Sequence, residues 1–184
     1  MRATIAALIR AISPGDRLEA EQITATLAWI ASGAPLCRSA KPAVPPQHLV
    51  AYCVLVDLSQ KKLLLVDHKN AGLWLPSGGH VEVDEHPQTT VYRELNEELS
   101  ISADFLCATP FFLTVTQTVG ATAGHTDVSL WYLLRGDSTQ VLTFDASEFH
   151  AARWFAFDII PFERADPQLS RFMAKLKSKW LEFT

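Results

Sequence analysis

The sequence predicts an α+β fold, a mixed β-sheet sandwiched between helices and preceded by a helical N-terminal extension. Three observations lead there. Runs such as HLVAYCVLVDL (48–58) are almost continuously apolar and read as strands buried on both faces. Other segments repeat apolar residues every three or four positions, the spacing of a helix with one buried face. With 48% hydrophobic and 20% charged residues in 184 positions, the composition is that of one packed domain with an appendage.

The elements follow in order. Ile5, Leu8, Ile9 and Ile12 lie at helical spacing, and Ser13-Pro14-Gly15-Asp16 ends that pattern. Asp16 can cap a second helix, with Glu19 at the capping-box position. Leu18, Ile23, Leu27 and Ile30 mark that helix, which ends near Ser32-Gly33. Four prolines between Pro35 and Pro46 read as a linker. The division expected is a helical extension with linker over 1–45 and a main domain over 46–184. Two such helices are too few to bury a core alone, so they are expected to pack on the main domain or on a second copy in a homodimer.

Beyond the linker, strand 48–58 turns at Ser59–Lys62 into the strand KLLLVDH. The segment NAGLWLPSGGHVE is rich in glycine and aromatic residues, and its Pro76-Ser77-Gly78-Gly79 run reads as a turn ahead of the next helix. Pro87–Leu99 reads as a helix, with Pro87 in the first turn, where its missing N–H is harmless. Strands are expected at 103–107, 110–118, 127–135 and 151–157. A last helix, Gln168–Leu181, carries Leu169, Phe172, Met173, Leu176 and Trp180.

The bulk numbers exclude some functions. A net charge of −4 without a long basic run argues against binding duplex nucleic acid. Cys37, Cys53 and Cys107 are scattered and odd in number, which indicates neither a disulfide framework nor a zinc site and fits a reduced, cytoplasmic setting. Arg10 interrupts the apolar start, which reads as an amphipathic helix rather than a signal peptide. No apolar run is long enough to predict a membrane span.

One stretch carries chemistry. Gly78–Ile101 holds six of the 20 acidic residues, and Arg93 is its lone basic residue. On a helix, Val91, Leu95 and Leu99 form a buried stripe. Glu94, Glu97 and Glu98 share a neighbouring arc of roughly 100°. Clustered carboxylates suit Mg²⁺ or Mn²⁺ rather than zinc. The plainer reading of such a run is a solvated acidic face.

The residues before the helix favour the first reading. Gly79, then HVEVD, Glu85, HPQTTVY and Arg93-Glu94-Leu95-Asn96-Glu97-Glu98-Leu99-Ser100-Ile101 resembles the signature of the Nudix hydrolases. Every fixed position matches except the last, where Ser100 replaces a glycine that would end the helix in a left-handed turn. HLVAYCVLVDLSQKKLLLVDH resembles the strand pair leading into that box, and WLPSGGHVE its approach, with Ser77 where glycine is commoner. SEFHAARWFAFDII resembles the family's closing strand. The resemblance covers roughly 47–165 and leaves the N-terminal helices outside.

The resemblance implies hydrolysis of a diphosphate bond in a small nucleoside diphosphate derivative, with Mg²⁺ or Mn²⁺. It implies Glu94, Glu97 and Glu98 as metal ligands, joined by the Gly79 carbonyl and by Glu148, which precedes Arg153-Trp154-Phe155. It implies a glutamate base, Glu94 oriented by Arg93 or else Glu97, and a structural contact for Glu85. Trp74 is expected to stack a nucleobase, and His125 and Asp127 to lie near substrate. His80, His86, His125 and His150 are expected at the surface or in hydrogen bonds rather than as metal ligands. A catalytically silent nucleotide-binding module of the same fold is the alternative.

Overall fold

The computed structural model describes residues 1–40, 44–119 and 124–183. Residues 41–43 of the expected linker lie outside them. The elements are α1 (Arg2–Arg10), α2 (Arg17–Ala31), β1 (Gln47–Asp57), β2 (Lys62–His68), β3 (Leu73–Leu75), β4 (Ser77–His80), α3 (Pro87–Leu99), β5 (Phe112–Gln117), β6 (Thr126–Arg135), β7 (Phe149–Ala156) and α4 (Leu169–Ser178). They build a mixed seven-stranded sheet with helices on both faces. Among the described residues, no helix is long and apolar enough to cross a membrane.

β1 organises the sheet. One edge pairs in parallel with β6 from Gln47↔Thr126 to Val56↔Arg135. The other edge is shared: β4 takes Val50–Cys53, and β2 joins only at Val56 and Asp57. β2 then pairs with β3 and β7 instead. Side chains of β1 divide by parity. Leu49, Ala51, Cys53 and Leu55 enter the core beneath α1, α2 and α3. Val54 and Val56 enter the second core, beneath α4. Val50 and Tyr52 instead line a cleft.

The N-terminal helices cover one face of the sheet. Ile5, Ile9, Ile12 and Ile30 are buried in the same core as Leu49 and Leu130. Asp16 Oδ1 accepts the Glu19 amide at 2.8 Å, and Glu19 Oε2 accepts the Gly15 amide at 2.6 Å. Those bonds satisfy orphan donors at the start of α2. The expected apolar stripe is shifted: Leu18 is exposed, and Glu19 points inward. Inside, Glu19 Oε1 meets Lys175 Nζ of α4 at 2.7 Å and accepts the Leu113 amide at 3.2 Å. Both partners of that ion pair are buried.

Three expectations are corrected. Residues 103–107 form no full strand: they make one bridge to β6, Phe105↔Leu134, flanked by the Leu106 amide on the Leu133 carbonyl and the Arg135 amide on the Asp104 carbonyl. The Gly-Gly segment is no turn: it is β4, paired antiparallel with β1. The last helix ends at Ser178, followed by a 3-10 turn over Trp180–Glu182.

Candidate active site

Helix α3 starts after His86, whose ring nitrogen accepts the Gln88 amide at 3.2 Å, with Pro87 in its first turn. It stops at Ser100, which sits in the left-handed region at φ 54°, ψ 35°. Val91, Leu95 and Leu99 are buried in the core, which fixes the rotation of the helix about its axis. That rotation carries Glu94 and Glu98 to the rim of a cleft of about 680 Å³, lined also by Gly78, Gly79, Arg93 and Glu148. The volume is that of a small-molecule site.

Each acidic residue of the box has a distinct environment. Glu98 is buried, and its Oε2 accepts Ser77 Oγ–H at 2.6 Å and the Gly78 amide at 3.0 Å. Burial pushes its carboxyl up to about 8, against the lowering effect of Ser77, and Glu94 and Glu148 raise it further. Burial also raises Glu94, opposed by Arg93 and reinforced by Glu97 and Glu148. Glu97 is more exposed and lies 3.5 Å from Arg93 Nη1.

Arg93 links the strand to the helix. Its Nε and Nη2 grip the two oxygens of Glu85, each at 3.0 Å. Nη1 donates to Glu94 Oε1 at 2.7 Å, and Nη2 also donates to the His80 carbonyl at 3.2 Å. Glu85 further accepts Thr90 Oγ–H and the Glu82 amide. Its carboxylate is thereby fully engaged in holding the loop before α3. Gly79 makes the close approach feasible: a Cβ there would lie 2.2 Å from Glu94 Oε1.

The remaining expected residues divide. Glu148 is exposed and faces the cleft just before β7. His125 and Asp127 also line it. Trp74 does not, which corrects the stacking expectation. In β3 the neighbours Leu73 and Leu75 face the cleft, so alternation buries Trp74 in the opposite core, edge-on to Phe155 at 4.9 Å.

Three residues in or behind the cleft wall escaped sequence reasoning. Ser77 holds Glu98 and is visible only as a substitution in a glycine-rich run. Arg38 reaches the cleft from the proline-rich segment. His48 is fully buried at the start of β1, close to His80 and His125. Burial, the largest effect, pushes His80 down to about 3, which keeps its ring neutral near pH 7, and it lowers His125 as well. The expected surface position of His80 is thus corrected.

A family model for the NUDIX domain matches residues 46–176. The m7GpppN-mRNA hydrolase NUDT17 of Danio rerio is 30% identical over 128 residues, 60% of this chain and 42% of that protein. A MutT-like protein of Streptomyces ambofaciens is 37% identical over 60 residues, 33% of this chain and 39% of that one. The matches thus span about two fifths of the length of these relatives. A MutT NUDIX hydrolase from Burkholderia pseudomallei superposes with a TM-score of 0.53 at 26% identity, covering 70% of this chain and 96% of that one. The NUDIX domain of Shewanella oneidensis NrtR, solved with ADP ribose, gives 0.57 at 20% identity over 73% of this chain and 88% of its own, a likeness of fold. The chain belongs to the Nudix family.

Proposed function

We propose that this chain hydrolyses a diphosphate bond in a nucleoside diphosphate derivative, with Mg²⁺ or Mn²⁺ held by Glu94, Glu97, Glu98, Glu148 and the Gly79 carbonyl. One observation carries the reading: Glu94, partly buried, and Glu98, buried, line the same cleft, with Glu148 near enough to raise both. Arg93 answers Glu94, but Glu98 is met only by the neutral donors of Ser77 and Gly78, so the cluster keeps an excess of negative charge, and hard oxygen donors fit a hard divalent cation. Such a cation neutralises a diphosphate and acidifies a bound water.

The protein groups then divide the labour. Arg93 fixes the Glu94 carboxylate by the 2.7 Å bond while its other nitrogens stay on Glu85 and His80. Glu94 takes a proton from the attacking water. The water oxygen bonds to phosphorus as the bond from that phosphorus to the bridging oxygen breaks, and the electron pair leaves with the released phosphate. Glu97 is the second candidate base. Glu98 is held in place by Ser77 and Gly78.

The substrate class draws on two likenesses. A capped mRNA, named for the Danio rerio relative, and the ADP ribose bound by the NrtR domain share a phosphoanhydride attached to a nucleoside. The test is a panel of ADP-ribose, cap dinucleotides, dinucleoside polyphosphates, sugar nucleotides, coenzyme A derivatives and oxidised nucleotides, with products identified by mass. Phosphate-containing products should form with Mg²⁺ or Mn²⁺ and not with chelator. Thermal stabilisation by a nucleotide without turnover of any compound would instead identify a silent binding module.

A further inference from the structure

We infer that His48, His80, His125 and Asp127 form a second metal site, four-coordinate and suited to Zn²⁺, in the same cleft as the acidic cluster. This inference does not rest on the proposed hydrolysis. Strand register builds the cluster. His48 stands opposite Asp127 in the parallel β1–β6 pair, and His80 stands opposite Val50 in the β1–β4 pair. His125 immediately precedes β6. One ligand atom from each residue lies within 4.8 Å of all the others.

The distances fit a tetrahedral ion. His48 Nε2 and His125 Nε2 each lie 3.3 Å from Asp127 Oδ1. Ligands placed 2.0–2.1 Å from a tetrahedral zinc are about 3.3 Å apart. Small side-chain rotations would bring the remaining pairs to the same edge length.

Hydrogen bonding points the same way. His48 Nε2, His80 Nε2 and Asp127 Oδ1 are buried and have no hydrogen-bond partner. Buried polar atoms normally have one, and these orphans converge. His48 is fully buried, and its Nδ1 lies 2.9 Å from the Pro45 carbonyl. A carbonyl only accepts, so Nδ1 carries a proton, and in the neutral ring Nε2 presents a lone pair. That lone pair faces the Asp127 carboxylate, an arrangement that calls for a cation between two acceptors. The backbone bond from Nδ1 is also the outer-shell contact that orients a metal-binding imidazole. His125 Nδ1 lies 3.3 Å from Thr118 Oγ1, which orients its ring similarly.

The donor set selects the metal. Three imidazole nitrogens and one carboxylate suit zinc better than magnesium. Arg38 lies close enough to depress His80 and His125. The site also adjoins the acidic cluster: His80 follows Gly79, and its carbonyl accepts from Arg93.

The test measures metal content, not turnover. Full-length protein is stripped with chelator, loaded separately with Zn²⁺ and Co²⁺, dialysed, and analysed by elemental analysis and visible absorption. We expect stoichiometric zinc and the bands of a four-coordinate nitrogen–oxygen cobalt site, without thiolate charge transfer. Asp127→Asn, which keeps the shape, and His125→Gln should each weaken zinc at least about tenfold while remaining folded by circular dichroism, and Glu98→Gln should retain it. Folded wild type that holds no zinc, equal retention in both cluster variants, loss of zinc in Glu98→Gln, or a thiolate band would each overturn the site.

Discussion

The acidic cluster of α3 and the imidazole cluster of β1, β4 and β6 occupy one cleft but are built by opposite means. In α3, Glu94, Glu97 and Glu98 lie within five consecutive positions, and the helix period alone sets their relative directions. The imidazole cluster gathers residues from 48 to 127, and only strand register brings them together. A helix keeps its local geometry when a neighbour shifts. A register-built cluster moves whenever any of its strands moves. Substitutions should therefore separate the two clusters, except where β4 joins them.

The largest expected effect is on the helical cluster alone. Glu98→Gln should reduce turnover on the order of a thousandfold, since a metal site contributes several kcal/mol to such a reaction. Steady-state kinetics with saturating Mg²⁺ checks this, and full activity would break the assignment. Gly79→Ala should come next and should affect both clusters. Its Cβ would meet Glu94 Oε1 at 2.2 Å, and β4 also carries His80. Turnover should fall roughly a hundredfold and zinc affinity should fall with it. If activity fell while zinc was untouched, the strand would not be the link.

Arg93→Lys should be milder. The lysine keeps the charge but loses the two-pronged grip on Glu85, and about a tenfold loss in Mg²⁺ affinity is expected by titration of activity. Ser100→Gly should be the smallest change and a gain. Relieving a left-handed serine is worth about 1 kcal/mol, which raises the melting temperature by about 2–4 °C with neither cluster altered.

The contrast also explains what could be read from the sequence. The ends of α3, the capping of α2 by Asp16 and Glu19, and the left-handed strain at Ser100 all depend on residues within a few positions of one another. Each was legible because local backbone geometry decides it. β3 and β4 were not, because three- and four-residue strands carry too short a pattern and are defined by partners elsewhere in the chain. Trp74 was misplaced for the same reason: its direction depends on the pleat of β3, which a glycine-rich segment conceals. The inward turn of Glu19 was hidden because its partner, Lys175, belongs to the far end of the chain.

That last pair makes the evolutionary unit and the physical unit differ in extent. The stretch matched by the family model, 46–176, includes Lys175 and omits Glu19. In the full chain, Glu19→Ala would leave the Lys175 ammonium buried without the carboxylate that answers it, a loss of about 3–5 kcal/mol. Homology marks where the shared architecture begins, whereas this ion pair ties the second helix to the last one across that boundary.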